Sequence, residues 1–398
     1  MNIKKIFIRD FSAILFMMWI SNGILSYVFY YVPIYIKISL FLVWISMCIS
    51  KSSINKFVFR QKYIILFILV LYLLRQTTNL NLNYMLKTSI FFFTYSCMLY
   101  FYKDKSIKVV KRIIYPLLFD FAFIGINTLI KLKRNPNIAR FLSHDSVDIV
   151  KNLGEKSMLG IGNYNFAYSL VVITLISIYL IKKQKQYMYF FCFVINFILL
   201  IKMQFTISIL LNILAVFLEY ILLSNKKRKI MVIFSSLLIF ACLCALELQY
   251  EFIPNNIKIK INNVIDFLIY NKNVGYFLNE RLSRYMMSLN LIKTHYIFGL
   301  LNGSGTIGNH STWFDLYAQI GVVSLFLYIH IMKIVSLIYK INNKVTIVFS
   351  IYWIILGCIN VAYTPKLLLS FVMVLPCTLK LLKTRNSKIN YGYKEKKL

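Results

Sequence analysis

ERLSRYMMSLNLIKTHYIFGLLNGSGTIGNHSTWFDLYAQIGVVSLFLYIHIMKIVSLI, residues 280–338, holds in one stretch the two kinds of sequence that make up this chain. From Trp313 onward it is a nearly continuous apolar run, long enough to cross a hydrocarbon layer roughly 30 Å thick. In lipid the backbone must satisfy its own hydrogen bonds, so such a run becomes a helix. Ahead of it come a short segment with Arg281 and Arg284, a glycine-rich turn, and His310. Basic, imidazole and carboxylate groups therefore gather at the mouth of a membrane span.

The same apolar signal recurs along the whole chain. Hydrophobic residues make up 59% of the 398, and the mean hydropathy is +0.69. The runs predict an all-α, polytopic membrane protein with about twelve spans. They lie near 11–31, 33–50, 61–75, 84–102, 113–130, 161–181, 187–201, 205–223, 230–247, 313–338, 345–362 and 366–382. The N-terminal MNIKKIFIRDFSAILF resembles a signal sequence without a small-residue cleavage site, and it reads as a retained first span. The seven cysteines all fall inside apolar runs, without metal-ligand spacing, and read as small core residues.

A net charge of +33 in a soluble chain would point to nucleic acid. Here the charge is distributed as the positive-inside rule requires, and nucleic acid is excluded as a partner. Lys4, Lys5 and Arg9 precede the first span; Lys51, Lys56, Arg60 and Lys62 follow the second. Further clusters lie at 103–112, 182–185, 226–229 and 333–344, and from Lys380 onward. Together these groups hold 29 of the 46 Lys and Arg, all on one side. Both termini are expected in the cytoplasm. Residues 1–382 read as one transmembrane domain and 383–398 as a basic cytoplasmic tail. Two long segments, about 131–160 and 248–312, face outward.

The outward segments carry the candidate chemistry. At helical spacing Leu282, Tyr285, Met286, Leu289 and Ile292 form an apolar stripe, with Arg281, Arg284 and Ser288 on an adjacent face. Two guanidinium groups one turn apart suit a phosphate or pyrophosphate; an interfacial helix touching lipid headgroups explains them as well. Gly303, Gly305 and Gly308 match G-x-G-x-x-G by letter but lack the strand, helix and acid of a dinucleotide site. His310, with Asp315 about a turn and a half later, has the pKa range of a general base; a polar anchor at the interface is the plainer reading. His144 and His295 are loop residues without such neighbours, and His330 lies toward the cytoplasm. In the first outward segment Arg134 and Arg140 precede Gly160, Gly162, Asn163, Tyr164 and Asn165 at the mouth of the sixth span. Amides and a tyrosine there suit sugar recognition, while Asn163 also suits a helix cap. Asp120 and Glu219 are ionisable residues inside spans and are functional candidates on that ground. Glu219 is near enough to the cytoplasmic end to snorkel.

In order and spacing, Arg281, Arg284, Phe298, Gly299, His310, Ser311, Asp315 and Gly321 resemble the O-antigen polymerase and ligase superfamily, most of all its capsular and exopolysaccharide repeat-unit polymerases. The Gly162–Ala167 stretch resembles that family's earlier helix mouth. Gln319 stands where relatives often carry an acid, which leaves Asp315 as the acidic partner of His310. The resemblance implies a metal-independent glycosyltransferase, without cofactor, at the outer face of the bacterial cytoplasmic membrane. It would join oligosaccharide units carried on undecaprenyl pyrophosphate into a growing polysaccharide. Its surroundings would be membrane lipid, a flippase and a chain-length regulator. His310, Arg284 and Asp315 become the catalytic candidates, and Arg281, Arg140, Asn163, Tyr164 and Asn165 the substrate-binding ones. An O-antigen-ligase-like transferase would present the same site. A flippase for lipid-linked sugars, the non-enzyme alternative, predicts inverted repeats that the sequence lacks.

The charge asymmetry makes a topology prediction. On a cysteine-free background, an impermeant thiol reagent applied to intact cells should label cysteines placed at 145 and 270 and miss those at 107 and 227. Labelling at 107 would reverse the orientation.

Overall fold

The computed structural model describes residues 3–21, 23–25, 32–48, 54–78, 80–141, 160–223, 259, 275–302 and 305–382. The predicted ninth span at 230–247, the tail from 383, most of the first outward segment (142–159) and residues 248–258, 260–274 and 303–304 of the second lie outside the described residues. Among those described there is no strand. The helices are α1 Ile3–Ile20, α2 Ile34–Cys48, α3 Ile54–Thr77, α4 Asn83–Tyr102, α5 Ile107–Arg134 and the single turn α6 Ile138–Phe141. After the first outward segment come α7 Tyr164–Ser169, α8 Val171–Gln184, α9 Tyr189–Met203 and α10 Thr206–Leu223. Then follow α11 Gly275–Thr294, α12 Thr312–Ile320, α13 Ser324–Tyr339, α14 Asn343–Ile359 and α15 Pro365–Leu382. Among the described residues, five segments are long and apolar enough to cross a membrane: α5, α7 with α8, α10, α12 with α13, and α15. This is an all-helical, membrane-embedded architecture.

Two compact units divide the chain. The first comprises Met1–Val172, Leu325–Asn342 and Tyr363–Leu398. Within it α1 packs on α2 and α5, α3 on α4, and α15 on α4 and α7. Several of its buried charged and polar residues are paired, within a helix or across helices, because an unpaired charge in such surroundings costs several kcal/mol. Arg9 donates to Asp10 Oδ1 from Nε and Nη2 at 2.9 and 2.7 Å. Tyr102 donates to the same oxygen at 3.2 Å and accepts from Trp44 Nε1 at 3.1 Å. His330 on α13 is buried, with Nε2 3.0 Å from Ser96 Oγ and its ring edge-on to Phe92. Helix α15 begins with Thr364 as N-cap and Pro365 in its first turn, and then widens into a π turn over Ser370–Val374. Such turns often mark functional stretches of helix.

The second unit comprises Ile173–Ser324 and Asn343–Ala362. There α10 packs on α9 and α14, and α12 on α11 and α14. A buried relay ties three of its helices: Asn196 Nδ2 donates to Thr174 Oγ1 at 2.7 Å, Thr174 to Asn212 Oδ1 at 2.9 Å, and Asn212 to the Ser208 carbonyl. Two turns beyond Asn212, Glu219 is fully buried, and neither carboxylate oxygen has a partner. The expected snorkelling of Glu219 toward water is therefore not what the fold does. It belongs to the polar face of α10 that carries Ser208 and Asn212, and that face is turned into the unit.

Candidate functional site

The catalytic candidates all belong to the second unit, and the geometry there begins with one hydroxyl. Ser288 on α11 is fully buried. Its Oγ donates to Asp315 Oδ1 and accepts from the Gly308 amide at 2.9 Å. Asp315 Oδ2 accepts from the Ser311 amide at 2.7 Å. Ser311 in turn caps α12, accepting from Phe314 N at 3.4 Å while its Oγ donates to the Gly357 carbonyl. One serine thus joins the arginine helix, the glycine-rich turn and the start of α12.

Two close approaches fix that arrangement. Gly308 lies so near the Arg284 carbonyl that a Cβ there would strike backbone. Gly299 and Gly321 both adopt left-handed φ, +59° and +54°, which glycine takes without strain. Each faces a carbonyl across the fold, Gly299 that of Ala318 and Gly321 that of Ile297. Val322 N donates to Ile297 O at 2.7 Å. The two glycines singled out by the sequence motif thereby lock the 295–302 turn against the α12–α13 break, and their function is structural.

The arginine helix turns a different face inward than its apolar spacing predicts. Ser288 and Leu291 are buried and Arg284 is half-buried, whereas Leu282, Met286 and Met287 are exposed. Hydrogen bonding decides this. The Ser288 tie and the Tyr285 hydroxyl, which donates to the Ile359 carbonyl at 2.7 Å, draw the polar side in. The leucine and methionines are left facing outward, as suits contact with lipid. Arg284 therefore sits beside the turn that leads to His310. Arg281 lies one turn earlier on the same helix, and its side chain is outside the described residues.

His310 is half-buried in the bend between Gly308 and Ser311, three residues before Trp313. Trp313 itself donates to the Ile354 carbonyl at 3.1 Å. Asp315 is engaged by the turn itself. Both of its oxygens are taken by Ser288 and Ser311, and among the described residues it makes no hydrogen bond to the imidazole. It holds the turn, and through the turn it holds His310.

The remaining substrate-binding candidates are in the first unit. Asn163 caps α7, its side chain accepting from Phe166 N at 3.3 Å, which is the capping reading. Gly162 N donates to Thr128 Oγ1 at 2.8 Å, and Asn127 Nδ2 to the Gly160 carbonyl at 2.9 Å, so α5 pins this mouth. The Tyr164 ring lies 6.0 Å from that of Tyr168. Asn165 is half-buried, and its Oδ1 has no hydrogen-bond partner. Arg140 is in the single turn α6, with its side chain outside the described residues. Asp120, without a partner in the sequence reading, acquires several: the Ser21 hydroxyl, the Ile24 amide at 2.8 Å, and electrostatic attraction to Lys366. Lys366 escaped notice because it stands at the start of the last span, where a cation passes for an interfacial anchor. The rule that an ionisable residue within a span has a function would have found it.

Among the described residues no three His, Cys, Asp or Glu side chains gather to hold a metal ion. The fold and this polar mouth define a helical membrane protein with a candidate site at the start of α12. No family model matches the chain, and no curated protein matches it.

Ser288→Ala removes both bonds at the clasp and leaves Asp315 Oδ1 and the Gly308 amide buried without partners. The purified protein should lose about 1–3 kcal/mol of stability, read as a lower unfolding temperature in detergent. Gly308→Ala should do at least as much, and Ser283→Ala, exposed on the same helix, should do nothing. A wild-type melting curve for Ser288→Ala would dissolve the clasp.

Proposed function

We propose that this chain is a polymerase that joins undecaprenyl-pyrophosphate-linked oligosaccharide repeat units into a capsular, exopolysaccharide or O-antigen chain. The observation that carries the reading is the Ser288–Gly308–Asp315 clasp, which holds Arg284 and His310 at one helix mouth. A transferase of this kind needs a cation for a departing pyrophosphate and a proton acceptor for an attacking hydroxyl, set side by side. In this reading the protein crosses the bacterial cytoplasmic membrane twelve times, with both ends inside, and the mouth of α12 opens on the outer face.

The reaction follows from those groups. The growing chain, on its lipid pyrophosphate, is the donor; the newly arrived unit offers a sugar hydroxyl. That oxygen forms a bond to the donor's anomeric carbon as the bond from carbon to the pyrophosphate oxygen breaks. His310 takes the hydroxyl proton, a contribution of roughly 10²–10⁴ in rate for a well-placed base. The electron pair leaves with undecaprenyl pyrophosphate, whose charge Arg284 stabilises, with Arg281 one turn away. No metal or cofactor enters. Asp315 positions the turn and exchanges no proton with substrate. A ligase passing the same lipid-linked glycan to another acceptor would use the same groups in the same roles.

His310→Ala in cells should cause single lipid-linked units to accumulate with little polymer, while His144→Ala should leave chain length unchanged. Arg284→Lys keeps the charge but loses the planar fork that pairs with a phosphate. It should cut polymer yield at least tenfold at normal protein level. Polymer of normal length and rate from His310→Ala would end the catalytic assignment, and full activity in Arg284→Lys would return the arginine to a headgroup contact.

A further inference from the structure

We infer that the first unit carries a second anion site, built on Lys366, that takes a lipid-borne phosphate. Lys366 stands in the first turn of the eighteen-residue α15 and is only 8% exposed. Among the described residues its Nζ has no hydrogen-bond acceptor. It lies 5.3 Å from the centre of the Phe166 ring. Asp120 attracts it electrostatically but forms no ion pair with it, because that carboxylate is held by the Ser21 hydroxyl and the Ile24 amide.

Beside the Phe166 ring, then, is a buried ammonium with three donors and no acceptor among the described residues. Leaving that group unmatched in an apolar bundle is costly. A ligand that completes the ammonium must bring anionic oxygen, as a lipid phosphate does. Lysine binds phosphate as a point charge, and the amino-terminal end of α15 adds the positive pole of its dipole. The lipid tail would lie along the exposed apolar faces of the bundle. Polymerisation requires two lipid-linked sugars at once, and the arginine helix accounts for one pyrophosphate. Assigning the Lys366 site to the second carrier rests on the polymerase reading; the phosphate site itself does not.

Native mass spectrometry of the full chain in a phosphate-free maltoside detergent tests this, with undecaprenyl pyrophosphate and, separately, dioleoyl phosphatidylglycerol as probes. Wild type should hold two carriers and Lys366→Met one, the affinity at the lost position falling at least tenfold. Methionine nearly conserves volume and removes a buried charge, so the variant without probe should unfold no earlier than wild type. Should it misfold, Lys366→Gln, which keeps a polar head without the charge, reads the same site and should weaken the same position severalfold. Carrier counts and affinities unchanged in Lys366→Met would overturn the site. Phosphatidylglycerol binding there as tightly as the carrier would make it a bilayer-lipid seat and overturn the carrier assignment alone. Loss of the His310 phenotype would remove the polymerase reading while leaving the Lys366 result in place.

Discussion

A polar group carried into a helix bundle surrounded by lipid must be met by another polar group, since neither water nor hydrocarbon will meet it. Much of the interior of both units follows that requirement, with Gln61, Glu219 and Lys366 as exceptions among the described residues. Asp10 is met by Arg9 and Tyr102, His330 by Ser96, and Thr174 by Asn196 and Asn212. Each pairing sets which face of a helix turns inward, and apolar packing fills what is left. The arginine helix shows the rank of the two effects. Its leucine and methionines stay outside because a serine hydroxyl and a tyrosine hydroxyl find partners inside. A hydrogen bond to a charged group contributes about 1.5–3 kcal/mol. Leaving a methionine facing lipid costs almost nothing, since lipid tails are as apolar as the core.

This ordering explains which parts of the fold were legible in the sequence. Long apolar runs announce helices regardless of their partners, so the predicted spans at 84–102, 187–201, 205–223 and 366–382 coincide with α4, α9, α10 and α15 to within a few residues. Hydropathy carries less information about ends. Helix α1 starts at Ile3 and α3 runs from Ile54 to Thr77, well beyond the runs near 11–31 and 61–75, because charged first turns continue a helix without raising its hydropathy. The break at Gly321 inside the predicted 313–338 span is likewise silent in an apolar count. It was visible only as a glycine, and its cause is a carbonyl from a residue 24 positions earlier.

At the candidate site, residue identities were legible and their relations were not. Arg284, His310 and Asp315 were all picked out by type and position. For the inferred pair of His310 and Asp315, sequence distance says nothing of competition. Asp315 has two closer suitors, the Ser311 amide on its own helix turn and the Ser288 hydroxyl on another helix. Ser288 itself looked like an incidental member of the arginine face. Neither Lys366 nor Ser21 drew attention, since each acquires meaning only through Asp120, some hundred or more residues away in the chain.

Arg284 and Lys366 differ as their positions demand. Arg284 is half-buried on a helix whose backbone is held against the Gly308 turn. A rigid fork there can meet a leaving group whose charge grows during reaction, and its fixed geometry makes the stabilisation specific to that moment. Lys366 sits in the first turn of α15, between an aromatic face and a carboxylate that is already engaged. A flexible point charge there suits a group that is held without reacting. Glu219 is also buried and also without a hydrogen-bond partner among the described residues, yet it sits near the carboxy-terminal end of α10, four residues from Leu223. The difference lies in the helix end: at the first turn of α15 an arriving anion is favoured twice, by the ammonium and by the positive pole of the dipole.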